Sequence, residues 1–223
     1  MNHRGHAVER RGEVVTDDTP IDAKIHRRNL YARAKAESER ELLALHRERG
    51  LPVVVARPAI VVGPGGDPHH WGVGFWSSAD TCRLWGDGTR PVPLVLVDDV
   101  AAALARCLEL GGIEGESFNL AAEPCVTPRE YVAAMSEALG TWIDVRPTPA
   151  WRFFAADMGK WLVKSLVRHP ERRLPSYRDW KSRTYRARYD CSKAKRVLGW
   201  VPVSDRETLL AEGVRRPATV WAS

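Results

Sequence analysis

The chain has 223 residues, 44% apolar and 28% charged, with a formal net charge of +6. These proportions suit one large folded domain, or a domain with a small lobe, and exclude a disordered tail. No apolar run reaches the roughly 18 residues that span a bilayer, and the basic residues 1–11 lack the apolar stretch of a secretory leader. The four cysteines, Cys82, Cys107, Cys125 and Cys191, lie too far apart for a redox C-x-x-C or a zinc knuckle, and predict reduced thiols in a cytoplasmic protein.

The first element is a helix over residues 28–49. Leu30, Ala34, Ser38, Leu42 and Leu45 recur at helical spacing, Arg33–Glu37 and Lys35–Glu39 are i,i+4 pairs, and Gly50 with Pro52 stops it. The β-branched run that follows, 53–57, predicts a strand covered on both faces, and helix followed by buried strand is half of a parallel α/β unit. Residues 63–88 read as a long irregular segment carrying His69, His70, Trp71 and Trp76. A short strand over 93–97, a helix capped by Asp98 and Asp99 and ending near Leu110, and a strand over 117–120 come next. Thr127-Pro128-Arg129-Glu130 is a capping box opening a helix to about Leu139. An outlying strand over 143–146, an amphipathic helix over 151–169, a short helix ending at Gly199 and a last helix over 205–212 complete the chain.

Charge is uneven. Residues 168–196 hold eleven Lys/Arg against three Asp/Glu. A solvated lobe surface is the expected reading, with no nucleic-acid partner. The 151–169 helix, with Lys160, Lys164 and Arg168 near its apolar stripe, is expected to pack as core or lid of a lobe ahead of lying on a membrane. Adjacent His69 and His70 have no Cys or carboxylate at ligand spacing, so no metal is expected.

Tyr31 and Lys35 stand four apart on the first helix, so both rise from one face. An ammonium beside a phenol stabilises the phenolate and equips it as a general acid or base toward a hydroxyl or carbonyl. The spacing recurs at Tyr177–Lys181 and Tyr189–Lys193, but the first follows Pro175 without a buried strand behind it, and the second straddles a helix cap.

The segment around Tyr31, Leu30-Tyr-Ala-Arg-Ala-Lys-Ala-Glu-Ser-Glu39, resembles the active-site helix of the extended short-chain dehydrogenase/reductase family of NAD(P)-dependent epimerases and dehydratases. Val55-Ala-Arg-Pro-Ala-Ile-Val-Val-Gly-Pro64 resembles its next strand and Arg-Pro turn. Gly86-Asp-Gly88 with Val97-Asp-Asp-Val100, Phe118-Asn-Leu120 and the Asp190-to-Pro202 signature follow in the family's order. The resemblance implies an α/β fold, a partial Rossmann-like parallel sheet over residues 1–120 with a small α+β substrate lobe mostly in 121–223. It implies Tyr31 as acid/base, Lys35 as its partner on the nicotinamide ribose, Pro58 and Ala59 beside the nicotinamide of NAD or NADP, and His70 and Trp71 at the substrate.

No strand–GxxGxxG–helix turn for the cofactor pyrophosphate is present, and the family's Ser/Thr before the tyrosine is missing at residues 4–7. The resemblance therefore starts at the family's midpoint. It predicts a truncated or misassigned gene product, or one completed by another polypeptide or by oligomerisation, impaired alone because the 53–55 strand keeps an unpaired edge. The expected substrate is a small molecule, in the family a nucleotide sugar. Val92-Pro93-Leu94, where the family has Arg-Asp-Phe, leaves open a hydroxysteroid- or flavonol-reductase-like oxidoreductase, and the basic lobe leaves open a non-catalytic binding or assembly subunit.

Overall fold

The computed structural model describes residues 14–185 and 188–222. Strand β1 (Val14–Val15) leads through a loop to helix α1 (Leu30–Arg49), which Gly50 ends at φ +67, a left-handed conformation that glycine adopts without strain. Strands β2 (Val55–Pro58) and β3 (Ile60–Val62) follow, then a hairpin of β4 (Gly74–Ser78) and β5 (Thr81–Trp85). Strand β6 (Leu94–Leu96) runs straight into α2 (Val97–Glu109). Strand β7 (Ser117–Leu120) precedes α3 (Pro128–Leu139), and β8 (Asp144–Thr148) precedes α4 (Ala150–Leu166). The chain closes with α5 (Tyr177–Ser182), β9 (Arg188–Tyr189), α6 (Ser192–Leu198), α7 (Arg206–Leu210), a π turn at Ala211–Arg215 and α8 (Arg216–Ala222).

The α/β expectation holds. β2 pairs in parallel with β7, β3 with β6 and β1 with β9. The β2–β7 and β3–β6 pairs are stitched together where Ala59 N–H donates to Leu120 O (2.8 Å) and Ala122 N–H to Leu94 O (2.7 Å). Among the described residues β2 pairs on one edge only, and Val53 to Val55 are half-buried rather than enclosed on both faces. One core joins Ile60, Leu84, Leu94, Tyr131, Met135 and Leu209, and a second joins Ala59, Val95, Phe118, Leu120, Leu198 and Trp200.

Four readings of the sequence are corrected. The 63–88 segment is not irregular. It contains β4 and β5, and β8 adds in parallel to the far edge of β5, a strand order that local patterning does not reveal. Gly88, at φ +71, closes the following turn where an added Cβ would sit 2.2 Å from a Leu84 methyl. The buried face of α1 is Ala32, Ala36 and Glu39, while Leu30 and Leu42 face solvent. Small side chains let the helix approach closely, and Glu39 is drawn inward by Arg57, not paired with Lys35, while Glu37 pairs with Arg40. Asp98 and Asp99 do not cap α2. Asp99 instead accepts Val203 N–H (2.9 Å), and its carbonyl accepts Trp200 Nε1–H (2.7 Å), anchoring the C-terminal signature.

All four cysteines are free thiols, and burial pushes Cys82 up to about 12 and Cys191 up to about 11. The buried Cys82 and Cys191 are inert at neutral pH. Iodoacetamide under native conditions is expected to leave both unmodified and to alkylate them only after denaturation, as read by peptide mass.

Candidate active site

The start of α1 is fixed from both sides. Asn29 caps the helix, its Oδ1 accepting Ala32 N–H at 2.9 Å, while its own N–H and Nδ2–H donate to Asp179 Oδ1 of α5 (3.3 and 3.2 Å). Just upstream, Arg28 and Asp22 form an ion pair at 2.8 Å with side chains 0% and 2% exposed. Arg178 approaches the other Asp22 oxygen at 3.3 Å, and Lys24 N–H donates to the same oxygen. Burial alone would raise the Asp22 carboxyl. The Lys24 N–H and the two guanidiniums outweigh it and hold the group below its ordinary value.

Further along α1, Arg57 of β2 reaches Glu39 with two hydrogen bonds, Nη2 to Oε1 at 2.8 Å and Nε to Oε2 at 3.2 Å, both side chains nearly solvent-free. Arg57 also donates from Nη1 to Asp17 O at 2.9 Å. A bidentate pair of this kind sets orientation as well as distance, so α1 is held in fixed register over β2.

On that helix Tyr31 and Lys35 share a face, with Lys35 Nζ 5.9 Å from the centroid of the Tyr31 ring. Tyr31 is 57% exposed. Pro58 ends β2 opposite Leu120, and buried Ala59 follows, at the carboxyl edge of the parallel strands where α/β sheets take their ligands. Of the other expected residues, Trp71 has its ring edge-on to Phe75 and Trp85 (5.6 and 5.1 Å). His70 turns inward, its Nδ1 accepting Gly72 N–H at 2.9 Å, and burial holds it below the ordinary histidine value. It is therefore neutral at pH 7.

A cleft of about 1300 Å³ opens between the start of α1, the β4–β5 hairpin, α4 and α5. Leu30 and Arg33 of α1 line it, as does Trp71, whereas Tyr31, Lys35, Pro58, Ala59 and His70 do not. The sequence reading missed its far wall. Arg183, just beyond α5, lies over three tryptophan rings, with its guanidinium carbon 5.5 Å from the Trp71 centroid, 5.4 Å from Trp85 and 4.8 Å from Trp180. Phe153 stacks on Trp180 at 5.3 Å, and Trp180 Nε1–H donates to Asp157 Oδ2 at 3.0 Å. Arg183 pairs with Asp179 at 3.0 Å with its side chain 10% exposed, and its buried Nε has no hydrogen-bond partner among the described residues.

The cleft is basic. Arg28, Lys160 and Arg183 are paired internally with Asp22, Asp157 and Asp179, which leaves Arg27, Arg33, Arg83, Lys164 and Arg173 against Glu171 on its walls. The 168–196 stretch is thus not simply a solvated surface, since Arg173 and Arg183 face the cleft and Arg178 faces Asp22. The nine tryptophans and that charge run were the available signals. What joined them was α5 folding back on α4, which no local pattern encodes. Among the described residues no group of His, Cys, Asp and Glu is placed to hold a metal ion.

The profile of the NAD dependent epimerase/dehydratase family matches residues 7–121. Among curated proteins the chain is 28% identical over 204 residues to a UDP-glucose 4-epimerase of Mycolicibacterium smegmatis, covering 89% of this chain and 54% of that protein. The chain spans about half the length of the curated relatives it matches. Among solved structures, a dTDP-glucose 4,6-dehydratase from Streptomyces venezuelae with NAD bound has a TM-score of 0.67 at 23% identity, over 98% of this chain and 57% of that one. UDP-glucuronic acid 4-epimerase from Bacillus cereus in complex with NAD has a TM-score of 0.66 at 17% identity, over 98% of this chain and 60% of that one. The parallel strands and helices described above correspond to part of that Rossmann-type fold.

Proposed function

Because the chain belongs to the NAD dependent epimerase/dehydratase family, we propose that it carries the proton-transfer residues and substrate cleft of a nucleotide-sugar epimerase or dehydratase. The observation that carries this reading is the pairing of Tyr31 with Lys35 at 5.9 Å on a helix whose first turn walls a basic, tryptophan-lined cleft.

A nucleotide sugar presents a diphosphate, an aromatic base and a polar ring. The five cations without a carboxylate partner among the described residues suit the diphosphate, and Arg183, with one buried N–H lacking an acceptor among those residues, suits a phosphate oxygen. The exposed Trp71 ring offers a stacking face. A reductase acting on an uncharged steroid or flavonol would leave those cations without a counter-charge, so the cleft favours the phosphorylated substrate.

The residues fit NAD or NADP at its nicotinamide end. Tyr31 and Lys35 present a hydroxyl and an ammonium for the ribose, and Pro58 and Ala59 provide the carboxyl edge of β2. Among the described residues no strand-to-helix turn is glycine-rich: β6 enters α2 directly, and Gly63–Gly66 leads to the hairpin. When bound, the nicotinamide supplies the hydride acceptor. Tyr31, as the phenolate that the Lys35 ammonium stabilises, would take the proton of the sugar hydroxyl as its carbon is oxidised, stay a neutral phenol between the two steps, and return the proton on reduction. Arg57 and Glu39 are positioning residues, since they hold α1 and touch no reacting atom.

Quenching of tryptophan fluorescence by UDP-glucose tests the cleft. Saturable binding is expected, weakened about 10- to 100-fold by Arg183→Ala, as loss of a charge-assisted hydrogen bond predicts. Equal affinity of the variant and the wild type would rule out this cleft as the phosphate site.

A further inference from the structure

Helix α4 has two faces of unlike surroundings. Phe153, Asp157 and Trp161 look into the cleft. On the other side Leu162, Val163, Leu166 and, just past the helix, Val167 are 54, 61, 83 and 67% exposed, and no residue of α4 is buried. Ala155 and Gly159 continue the same stripe by helical spacing toward Trp151, itself exposed. The apolar stripe read from the sequence is therefore only half used in packing. The remainder is a contiguous aliphatic strip in water, a feature uncommon in a surface with no partner.

Its border is cationic. Arg168 and Arg172 directly follow the last turn of α4, whereas Lys160, Lys164 and Arg173 line the cleft, and Glu171 is the sole acidic residue between 158 and 175. Arg168 and Arg172 have no carboxylate within ion-pair distance among the described residues. An aliphatic strip with a free cationic margin and an aromatic at one end is the composition of a helix that lies in the headgroup plane of an anionic bilayer. A second copy of the chain fits less well, because a two-fold contact would set these cations against their own equivalents. No helix of the described residues is long and apolar enough to cross a membrane, so the contact is peripheral.

We propose that the outer face of α4, with the turn through Arg168 to Arg173, docks this protein on an anionic phospholipid surface. The same helix walls the cleft, so docking holds that wall against the lipid. The proposal does not rest on the activity assigned above and stands or falls separately from it.

Co-sedimentation of the whole chain with vesicles of phosphatidylcholine, alone or mixed with phosphatidylglycerol, tests it. Binding is expected only to the anionic vesicles, and added salt weakens it. Leu162→Ser with Leu166→Ser, both at exposed positions, is expected to lower partitioning at least about tenfold with unchanged circular dichroism and melting temperature. Arg168→Gln with Arg172→Gln should lower it about fivefold per charge. No binding to anionic vesicles, or binding undiminished by the leucine changes, overturns the proposal. So does a lipid-free dimer that the leucine changes dissociate, or an acidic protein partner retained in their absence from lipid.

Discussion

Replacing Tyr31 with phenylalanine is expected to lower the rate of UDP-glucose epimerisation at C4, assayed with NAD, by about 10²–10⁴-fold while leaving KM nearly unchanged. The phenolic oxygen is the group on this face of α1 assigned the proton exchange with the sugar hydroxyl, and removing it leaves the ring to fill the same space. In the proposed binding mode the phosphates meet the cleft walls, which Tyr31 does not line, so binding should be largely spared. Lys35→Met should lower kcat in the same direction and also weaken the cofactor, because in the proposed mechanism the ammonium serves both the phenolate and the ribose. A Tyr31→Phe protein that turns over at the wild-type rate would remove Tyr31 from the chemistry.

The second large effect concerns stability. Asp22→Ala removes the Asp22 carboxylate from the Arg28 guanidinium, whose side chain is 0% exposed. Breaking one side of a buried pair costs about 3–5 kcal/mol, which for a chain of this size lowers Tm by about 6–20 °C. The desolvation that makes the intact pair a weak source of net stability also makes the loss of one member expensive. The same pair sets a pH dependence. Its carboxyl is held below the ordinary 3.8 in the folded chain, so its contribution is fully present above that value and is lost as the pH falls below it. Wild-type Tm should therefore drop on acidification below about pH 4, and the variant should lose that part of the slope. Differential scanning calorimetry across pH 3–7 reads both.

These two residues also divide what the sequence discloses from what it withholds. Tyr31 and Lys35 are legible because one helix carries both, and their spacing alone puts them on one face. The capping box at Thr127, the strand at Ser117–Leu120 and the glycine stops at Gly50 and Gly199 are equally local, and the structure places them where their chemistry predicts. Asp22 is different. Its partners Arg28 and Arg178 are 6 and 156 residues away, and nothing in an isolated Asp shows that a distant helix will cover it. Arg183 is the same case, since three tryptophans from separate parts of the chain surround it only after β5, α4 and α5 have packed. Helix α1 misled for the opposite reason. Leu30 and Leu42 have the spacing of a buried stripe, yet the helix turns its alanines and Glu39 inward because Arg57 on β2 offers Glu39 a bidentate partner. The hairpin at β4–β5 was hidden by glycines, histidines and tryptophans whose pattern is neither alternating nor continuous, and its order comes from β8 on the far edge.

The link between cleft and tyrosine is the core of this account, and a crystal structure of the chain with UDP-glucose bound tests it most directly. The diphosphate should lie against Arg183 and the free cations of the walls, with the sugar running past Leu30 to within hydrogen-bonding reach of the Tyr31 hydroxyl. A nucleotide seated elsewhere, with Tyr31 turned to bulk water, would contradict it.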